Sequence, residues 1–324
     1  MPLSPDRIAN APCSWGVVGR EGVSVSGLRM LDELVESGYR GTELGDPGFL
    51  PSDPDALRAA LQGRGLTLLG GYVPLDLAAT RFDADARDAV LRVARLLAAA
   101  ERGPRRPIVV IADRDGLDPQ RLARAGRLTP AEATPERTLA RFGARLEAIA
   151  DATFEATGLR VALHPHVASR IELPEETAAV LAASDPAKVG LVFDTAHYVY
   201  GTGRDDPDGR RVFEGLERFW DRIATIHVKD CSQSVAARAR REGMSYEAAV
   251  AGGLYAELGE GSIDLPAVVA WLHARGYDDW LTVEQDVLPG LGTPLASATR
   301  NHRRLRAWIE DAAASVDVPP PSSR

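Results

Sequence analysis

The stretch VGLVFDTAH, residues 189–197, decides the fold because it is an apolar run that turns polar only at its end. Three other segments share this pattern: LHPH (163–166), IHVKD (226–230) and VEQD (283–286). Four of the six histidines lie in these segments. In a (β/α)8 barrel, the carboxyl ends of the strands present catalytic side chains at one mouth of the barrel. The pattern therefore predicts such a barrel, with a site at its mouth.

Apolar runs of this kind alternate with amphipathic stretches along the whole chain, as in repeated strand–helix units of a parallel sheet. The runs predict strands at residues 8–13, 41–45, 66–74, 107–113, 160–164, 189–194, 224–229 and 280–284. Helices are predicted between them, among others at 24–37, 53–62, 83–101 and 134–157. We predict one α/β domain, a (β/α)8 barrel over residues 1–315, followed by a disordered tail at 316–324.

Two connections are longer than the rest, at residues 114–133 and 231–263. Each follows the end of a predicted strand. Long loops with no evident structure of their own are often functional in compact domains. We expect both connections to overhang the mouth and to shape or cover the site.

Composition and charge narrow the kind of molecule that the protein binds. The chain has 324 residues, is 45% hydrophobic and carries a formal net charge of -8. Phosphate contacts need a basic face, so this charge argues against nucleic acid. No apolar run approaches the roughly 18 residues of a membrane span, no secretion signal is evident, and two cysteines are too few for a disulfide framework. We expect a cytoplasmic protein with a small polar substrate and no nucleic-acid or membrane partner.

Residues with metal-binding side chains end consecutive predicted strands. Asp194, His227 and Glu284 close the last three strands, and adjacent strand ends converge at the mouth of a barrel. Mixed carboxylate and imidazole sets suit Mn²⁺, Mg²⁺, Co²⁺ or Zn²⁺. A fourth ligand is expected from the fifth strand, where His164 lies at the end and Glu172 follows in the loop. We assign Glu172 to the metal site and His164 to the catalytic residues, but the spacing leaves this choice open.

Other polar residues near the strand ends are candidates for proton transfer. His166 lies just beyond the fifth strand, and Glu43 ends the second. Lys229 follows His227 at i+2, so both side chains point to the same face of an extended strand. Together with His164 they form the candidate catalytic set, because imidazole, carboxylate and amine groups transfer protons or stabilise negative charge. Each also fits a structural reading, as a loop hydrogen bond or a buried ion pair.

Three further residues are candidates for substrate binding. His197 lies beyond the end of the sixth strand, within reach of substrate hydroxyls. Trp15 follows the first strand and offers an apolar wall for a sugar or cyclitol ring, although a core tryptophan fits almost as well. Asp230 comes directly after Lys229 and is the third candidate.

Longer motifs resemble a known family. They are NAPCSWGV (10–17), GYRGTELG (38–45), HPHVASRIE (164–172), FDTAHYVYG (193–201), IHVKD (226–230) and ELGEGSID (257–264). Through them the chain resembles the xylose isomerase-like barrel superfamily of sugar phosphate isomerases and epimerases, and most resembles inosose (2-keto-myo-inositol) dehydratases. The resemblance implies a TIM barrel in which Asp194, His227 and Glu284 hold a divalent metal, with Mn²⁺ or Co²⁺ favoured over Mg²⁺ or Zn²⁺.

One departure from the superfamily pattern bears on the reaction. The superfamily usually has a glutamate ligand at the end of the fifth strand, where this chain has His164 as dehydratase-like members do. The resemblance thus implies a metal-dependent dehydratase of inositol or other carbohydrate catabolism. It would remove an α-proton and a β-hydroxyl from a keto-cyclitol or keto-sugar. A metal-dependent isomerase or epimerase working through an enediolate and a non-catalytic sugar-binding barrel are the alternatives. The implied binding partner is a small polyol or keto-sugar substrate. Assembly into a homo-oligomer is left open.

Overall fold

The computed structural model describes residues 3–16, 25–79, 84–101, 103, 105–285 and 292–316. Among these residues, eight parallel strands close into a barrel in the order β1-β10-β7-β6-β5-β4-β3-β2. They are β1 Ile8–Asn10, β2 Gly41–Glu43, β3 Thr67–Leu75, β4 Ile108–Asp113, β5 Val161–Leu163, β6 Val189–Asp194, β7 Ile223–Val228 and β10 Leu281–Val283. The strands β8 Asp230–Cys231 and β9 Tyr255–Ala256 form a separate antiparallel pair. The predicted (β/α)8 barrel is confirmed.

Helices connect the strands and surround the barrel. In the described part of the chain they are α1 Gly27–Ser37, α2 Pro54–Gln62, α3 Ala84–Ala100, α4 Pro119–Arg124, α5 Glu136–Thr157, α6 Pro174–Ala182, α7 Thr195–Gly201, α8 Val212–Phe219, α9 Gln233–Glu242, α10 Tyr246–Ala251, α11 Leu265–Ala274 and α12 Pro294–Val316. The expected tail at 316–324 begins within α12, and residues 317–324 lie outside the described residues. None of the described helices combines the length and apolar composition of a membrane span.

Helix ends follow the start and stop signals of the sequence. The carboxylate of Asp53 accepts a hydrogen bond from the Ala56 N–H at 2.8 Å and caps α2, whose first residue is Pro54. Gly38 ends α1 in the left-handed conformation, with φ 99°, and the ring of His302 leaves no space for a Cβ there. The residues at these boundaries therefore suit the ends of the two helices.

Some boundaries differ from the prediction. The first strand was expected to continue to residue 13, but it ends at Asn10 and a 3-10 helix covers Pro12–Trp15. Proline lacks the N–H that a ladder needs, so the strand cannot continue through Pro12. The two long connections contain ordered elements: α4 lies in the first, and α9, α10 and the strands β8 and β9 lie in the second.

The buried hydrophobic residues that the structure describes form one large cluster and two small ones. A large apolar cluster includes residues of the strands and of the surrounding helices. A small cluster of Val110, Ala162 and Val192 is separate from it. Ala162 and Val192 stand two residues before His164 and Asp194, so each shares a strand face with a polar residue at the mouth. The candidate site therefore lies above an apolar floor.

We expect Leu31→Ala to lower the free energy of unfolding by about 2–5 kcal/mol, because this side chain of α1 is fully buried in the main core. The matched control is Leu28→Ala in the same helix, where the leucine is 47% exposed. That change should stay within about 0.5 kcal/mol. Urea denaturation of both variants measures the difference, and equal effects would contradict the packing of α1.

Candidate metal centre and active site

Four metal-ligand side chains meet at the carboxyl ends of neighbouring strands. His164 and Glu284 directly follow β5 and β10, Asp194 ends β6, and His227 lies near the end of β7, paired in register with Asp194. One ligand atom from each residue lies within 4.8 Å of the others, and all but Glu284 are buried. The predicted meeting of Asp194, His227 and Glu284 at one mouth is what the structure contains.

The contacts of this group fit a cation. His227 Nδ1 lies 2.9 Å from Glu284 Oε1, a contact that needs a proton or a cation between the two atoms. Asp194 Oδ1 accepts from the His197 N–H at 2.7 Å, whereas the buried Oδ2 has no hydrogen-bond partner among the described residues. Buried polar atoms without partners are rare in folded proteins. A divalent ion bound by two imidazoles and two carboxylates would meet both requirements.

Hydrogen bonds behind the group orient both imidazoles. His164 Nδ1 lies 3.0 Å from the Pro165 carbonyl oxygen, so Nδ1 is the donor and the Nε2 lone pair is free to face the group. The Nε2–H of His227 donates a hydrogen bond to Glu43 Oε1 at 2.9 Å. The other ring nitrogen, Nδ1, is therefore the atom that faces the group. Such carboxylate–histidine pairs commonly orient metal ligands. The structure thus places Glu43 behind a ligand, and this corrects its assignment to proton transfer with substrate.

Burial and neighbouring charges act in opposite directions on the pKa values of His227 and Glu284. Burial alone would lower the pKa of His227, but the carboxylates of Glu284 and Glu43 outweigh it and raise this pKa well above its usual value. Burial would likewise raise the pKa of Glu284, but the neighbouring charge of His227 holds it well below its usual range. An imidazole binds a cation only in its neutral form, so binding requires His227 to release a proton.

Burial shifts the other two members towards their neutral forms. It raises the pKa of Asp194 to about 6, although the charge of Lys229 opposes this rise. It lowers the pKa of His164 to about 3, and the charge on His227 acts in the same direction. His164 therefore stays neutral at physiological pH and keeps its Nε2 lone pair.

Two more histidines lie beside the group. The rings of His166 and His197 have centroids 4.0 Å apart, and each lies within 6 Å of the His164 ring. His166 Nδ1 donates to the Val167 carbonyl at 2.9 Å, which leaves a lone pair on Nε2. His197 Nδ1 accepts from the Val167 N–H at 3.3 Å, so its proton is on Nε2. Burial and the charge of His166 hold the pKa of His197 well below its usual value. One ring therefore offers a proton acceptor and the other a donor.

Lys229 is buried and points towards the same group. Its Nζ lies 3.6 Å from Glu284 Oε2 and 4.1 Å from the centre of the Tyr255 ring. The backbone of Lys229 exchanges two hydrogen bonds with the Thr195 hydroxyl at the start of α7. The Lys229 side chain therefore lies between a carboxylate and an aromatic face, and both favour a positive charge.

Glu172 is not a member of the four-residue group. Its carboxylate is buried and accepts the N–H groups of Gly126 at 2.7 Å and Ala168 at 2.8 Å. Burial raises the pKa of Glu172, whereas these two N–H donors lower it. The assignment of Glu172 as the fourth ligand is therefore corrected, because its two oxygens face backbone amides. His164 is instead the fourth member of the group.

The structure also gives Trp15 and Asp230 other partners than substrate. Trp15 is fully buried, and its Nε1 donates to Glu33 Oε2 at 2.8 Å. Asp230 is fully buried as well. Its carboxylate accepts four backbone N–H groups, at distances of 2.8–3.2 Å, from Cys231, Gly259, Gly261 and Ile263. Both substrate-binding assignments are corrected, since one residue belongs to the core and the other ties the β7 end to the following connection.

The sequence pattern did not identify two tyrosines of the connection after β7. Tyr246 and Tyr255 share a hydrogen bond between their hydroxyl groups at 3.0 Å. The Tyr255 hydroxyl also lies 3.3 Å from His197 Nδ1, and the Tyr246 ring lies against His166. The sequence indicated only that this long connection follows the end of a strand and so lies near the site. The residues within it that reach the site were not evident from spacing.

Comparisons with known proteins agree with this architecture. A family model described as xylose isomerase-like TIM barrel matches residues 31–312. An inosose dehydratase of Geobacillus kaustophilus is 27% identical over 305 residues, covering 91% of this chain and 92% of that protein. The rhizopine catabolism protein MocC of Rhizobium meliloti is 31% identical over 306 residues, covering 92% and 87%. The crystal structure of the IOLI protein with a binding zinc atom has a TM-score of 0.61 at 15% identity, covers 96% of this chain and 97% of that one, and is alike in fold.

We expect Asp194→Asn to weaken Mn²⁺ binding by about tenfold or more, because the change removes the charge from a ligand. Asp185→Asn is the matched control, since Asp185 lies outside the four-residue group and pairs with Lys188 on the surface. Calorimetric titration of the metal-stripped protein measures both affinities. Mn²⁺ binding by Asp194→Asn at the wild-type affinity would remove Asp194 from the ligands.

Acid should weaken the same binding. The pKa of His227 is raised, so the folded metal-free protein holds this proton at neutral pH and must release it to bind a cation. The apparent dissociation constant for Mn²⁺ should therefore rise by up to about tenfold for each unit of falling pH. Titrations in buffers with different heats of ionisation count the released protons. An affinity that does not change with pH would contradict this coupling.

Proposed function

The chain belongs to the xylose isomerase-like TIM barrel family, and from this premise we propose that it is a metal-dependent dehydratase of the inosose dehydratase type. Its substrate would be a keto-cyclitol or keto-sugar. The observation that carries the proposal is the group of His164, Asp194, His227 and Glu284, with a proton acceptor, a proton donor and a buried ammonium beside it. Similarity to inosose dehydratases along nearly the whole length of both chains supports the same reaction class.

Within this proposal, the four-residue group binds the ion and the nearby side chains move protons. A bound divalent ion would act as a Lewis acid towards the substrate ketone, which makes the neighbouring C–H more acidic. The lone pair on His166 Nε2 would accept that proton, as a general base does. His166 is suited to this because its side chain is 20% exposed at the mouth, whereas His164 faces the ligand group.

Elimination also requires an acid for the departing hydroxyl. The C–H bond next to the ketone and the C–O bond at the following carbon break, a C=C bond forms between the two carbons, and the hydroxyl leaves as water. We assign the protonation of this hydroxyl to the Lys229 ammonium, which Glu284 and Tyr255 hold beside the group. The Nε2–H of His197 would donate to a further substrate hydroxyl and orient the ring.

The isomerase or epimerase alternative uses the same first step. It also removes a proton next to a carbonyl, but it returns the proton to carbon and keeps every oxygen. Relatives named inosose dehydratase, which the chain matches over more than nine-tenths of their length, favour elimination. A non-catalytic barrel would have no need for an oriented ligand group with a buried carboxylate oxygen, Asp194 Oδ2, that has no hydrogen-bond partner among the described residues. We further propose a cytoplasmic role in inositol or other carbohydrate catabolism.

Incubation with 2-keto-myo-inositol and Mn²⁺ tests the reaction. We expect loss of one water per substrate, growth of the absorbance of a conjugated dione in its enol form, and no reaction after chelation. An epimerised product without water loss would support the isomerase alternative. Absence of both products, and of solvent deuterium uptake across a panel of keto-inositols and keto-sugars, would favour the non-catalytic barrel. Replacing Mn²⁺ by Co²⁺, Mg²⁺ or Zn²⁺ identifies the most active ion.

The assignment of His166 as base predicts that His166→Gln lowers kcat by about 10²–10⁴-fold, the usual contribution of a general base. Mn²⁺ stoichiometry should be unchanged, because His166 is not in the ligand group. His302→Gln is the control, since that ring packs on Tyr39 away from the site. A His166→Gln variant with wild-type kcat would contradict the assignment.

A further inference from the structure

The buried carboxylate of Glu172 joins two loops at the barrel mouth. Its Oε2 accepts the N–H of Ala168, in the loop after β5, and its Oε1 accepts the N–H of Gly126, in the connection after β4. The residue is 5% exposed. Burying a carboxylate is costly unless its oxygens are hydrogen-bonded, and here both oxygens are. The side chain is therefore built into the contact between these two loops.

The Ala168 end of this contact lies in an unfavourable turn. The Ser169 N–H donates to the His166 carbonyl at 3.1 Å and closes a turn over residues 166–169. Ala168 is the third residue of this turn and has φ 68°, the one positive value outside glycine among the described residues. A turn with a left-handed third residue normally has glycine there, because a Cβ disfavours that conformation. The hydrogen bond from Ala168 N–H to Glu172 opposes this strain.

The same turn sets the positions of both proton-transfer rings. His166 begins the turn and donates from Nδ1 to the Val167 carbonyl, and the Val167 N–H donates to His197 Nδ1. The backbone of Val167 thus fixes the tautomer of each ring. If the turn relaxed, both rings would lose the partner that orients them.

Further buried contacts fix the positions of Glu172 and of Gly126. The backbone N–H of Glu172 donates to Glu176 Oε2 at 2.9 Å, and Glu176 forms a buried ion pair with Arg121. At the other end, Gly126 has φ 69° and a Cβ there would meet the Tyr200 ring. Neither loop can move away from Glu172 without breaking a buried contact.

We propose that Glu172 is a positioning residue: its carboxylate holds the turn at 166–169 and so fixes the orientation of the His166 and His197 rings towards substrate. The roles of the two rings rest on the proposed function. The hold of Glu172 on the turn rests on the contacts alone. Glu172 acts through the backbone and touches neither ion nor substrate.

Glu172→Gln tests the proposal with little change of shape. An amide has one acceptor oxygen, so one of the two N–H groups would face the NH2 group and lose its partner. We expect kcat to fall by about 10- to 100-fold, as when the supporting residues of a site are changed, with KM within about threefold of wild type. Mn²⁺ stoichiometry should stay at the wild-type value, and hydrogen exchange at the Ala168 amide should be faster. Glu175→Gln, next to Pro174 and exposed, is the matched control.

A second change separates positioning from general damage. In the Glu172→Gln background, Ala168→Gly removes the Cβ that disfavours the left-handed turn, so the turn should form again without the carboxylate. We expect the double variant to recover kcat by at least about threefold over Glu172→Gln. Ala168→Gly also relieves strain in the folded state, so kcat is compared at a temperature and denaturant concentration where urea unfolding shows that both variants are fully folded.

Several outcomes would overturn the proposal. Loss of Mn²⁺ stoichiometry in Glu172→Gln would make Glu172 a ligand, and wild-type kcat with wild-type exchange at Ala168 would leave it no positioning role. Failure of Ala168→Gly to rescue would also count against it. If Glu172→Gln does not fold, Glu172→Asp, which keeps the charge but reaches only one amide, must show the same faster exchange. Exchange and metal content need no substrate, so they decide the role of Glu172 even if 2-keto-myo-inositol is not turned over.

Discussion

The imidazole of His227 between two carboxylates is the contact on which the candidate site depends. Glu43 from β2 lies on one side and Glu284 from β10 on the other, each 2.9 Å from a ring nitrogen. In a closed barrel β2 and β10 are the two neighbours of β1, so this contact crosses the mouth. It requires closure of the sheet, and it fixes the ring nitrogen that faces the other ligands. The orientation of the His227 ring therefore depends directly on closure of the barrel.

Around that contact, different parts of the fold supply different parts of the site. Apolar residues inside the strands form the floor, strand ends supply the ligand group, and the connections that follow the strands supply His166, His197 and the tyrosines. Rigid strands suit a ligand set, since a shift of one ångström is costly to a site. Loops suit residues that contact substrate, because loop changes leave the barrel intact.

The barrel and most of the ligand group could be predicted, because they depend on patterns within single segments. The apolar run 189–193 followed by Asp194 predicts both a strand and the place of its polar end. The choice between His164 and Glu172 could not be made this way, since it depends on the turn at Ala168 and on an amide of Gly126, 46 residues away. Trp15 likewise has its hydrogen-bond partner, Glu33, in α1. The residues next to Trp15 in the sequence do not predict this contact.

The antiparallel pair β8 and β9 has a consequence for how such a site diversifies. This small ribbon places Tyr255 over Lys229 and against His197, although Tyr255 comes from an insertion that the barrel does not need for closure. Exchange of that insertion would therefore alter the wall that a ligand meets and leave the four strand-end residues in place. Within one scaffold, the wall that a ligand meets can therefore change while the strand-end ligand group stays the same, although the surroundings of Lys229 and His197 change with it.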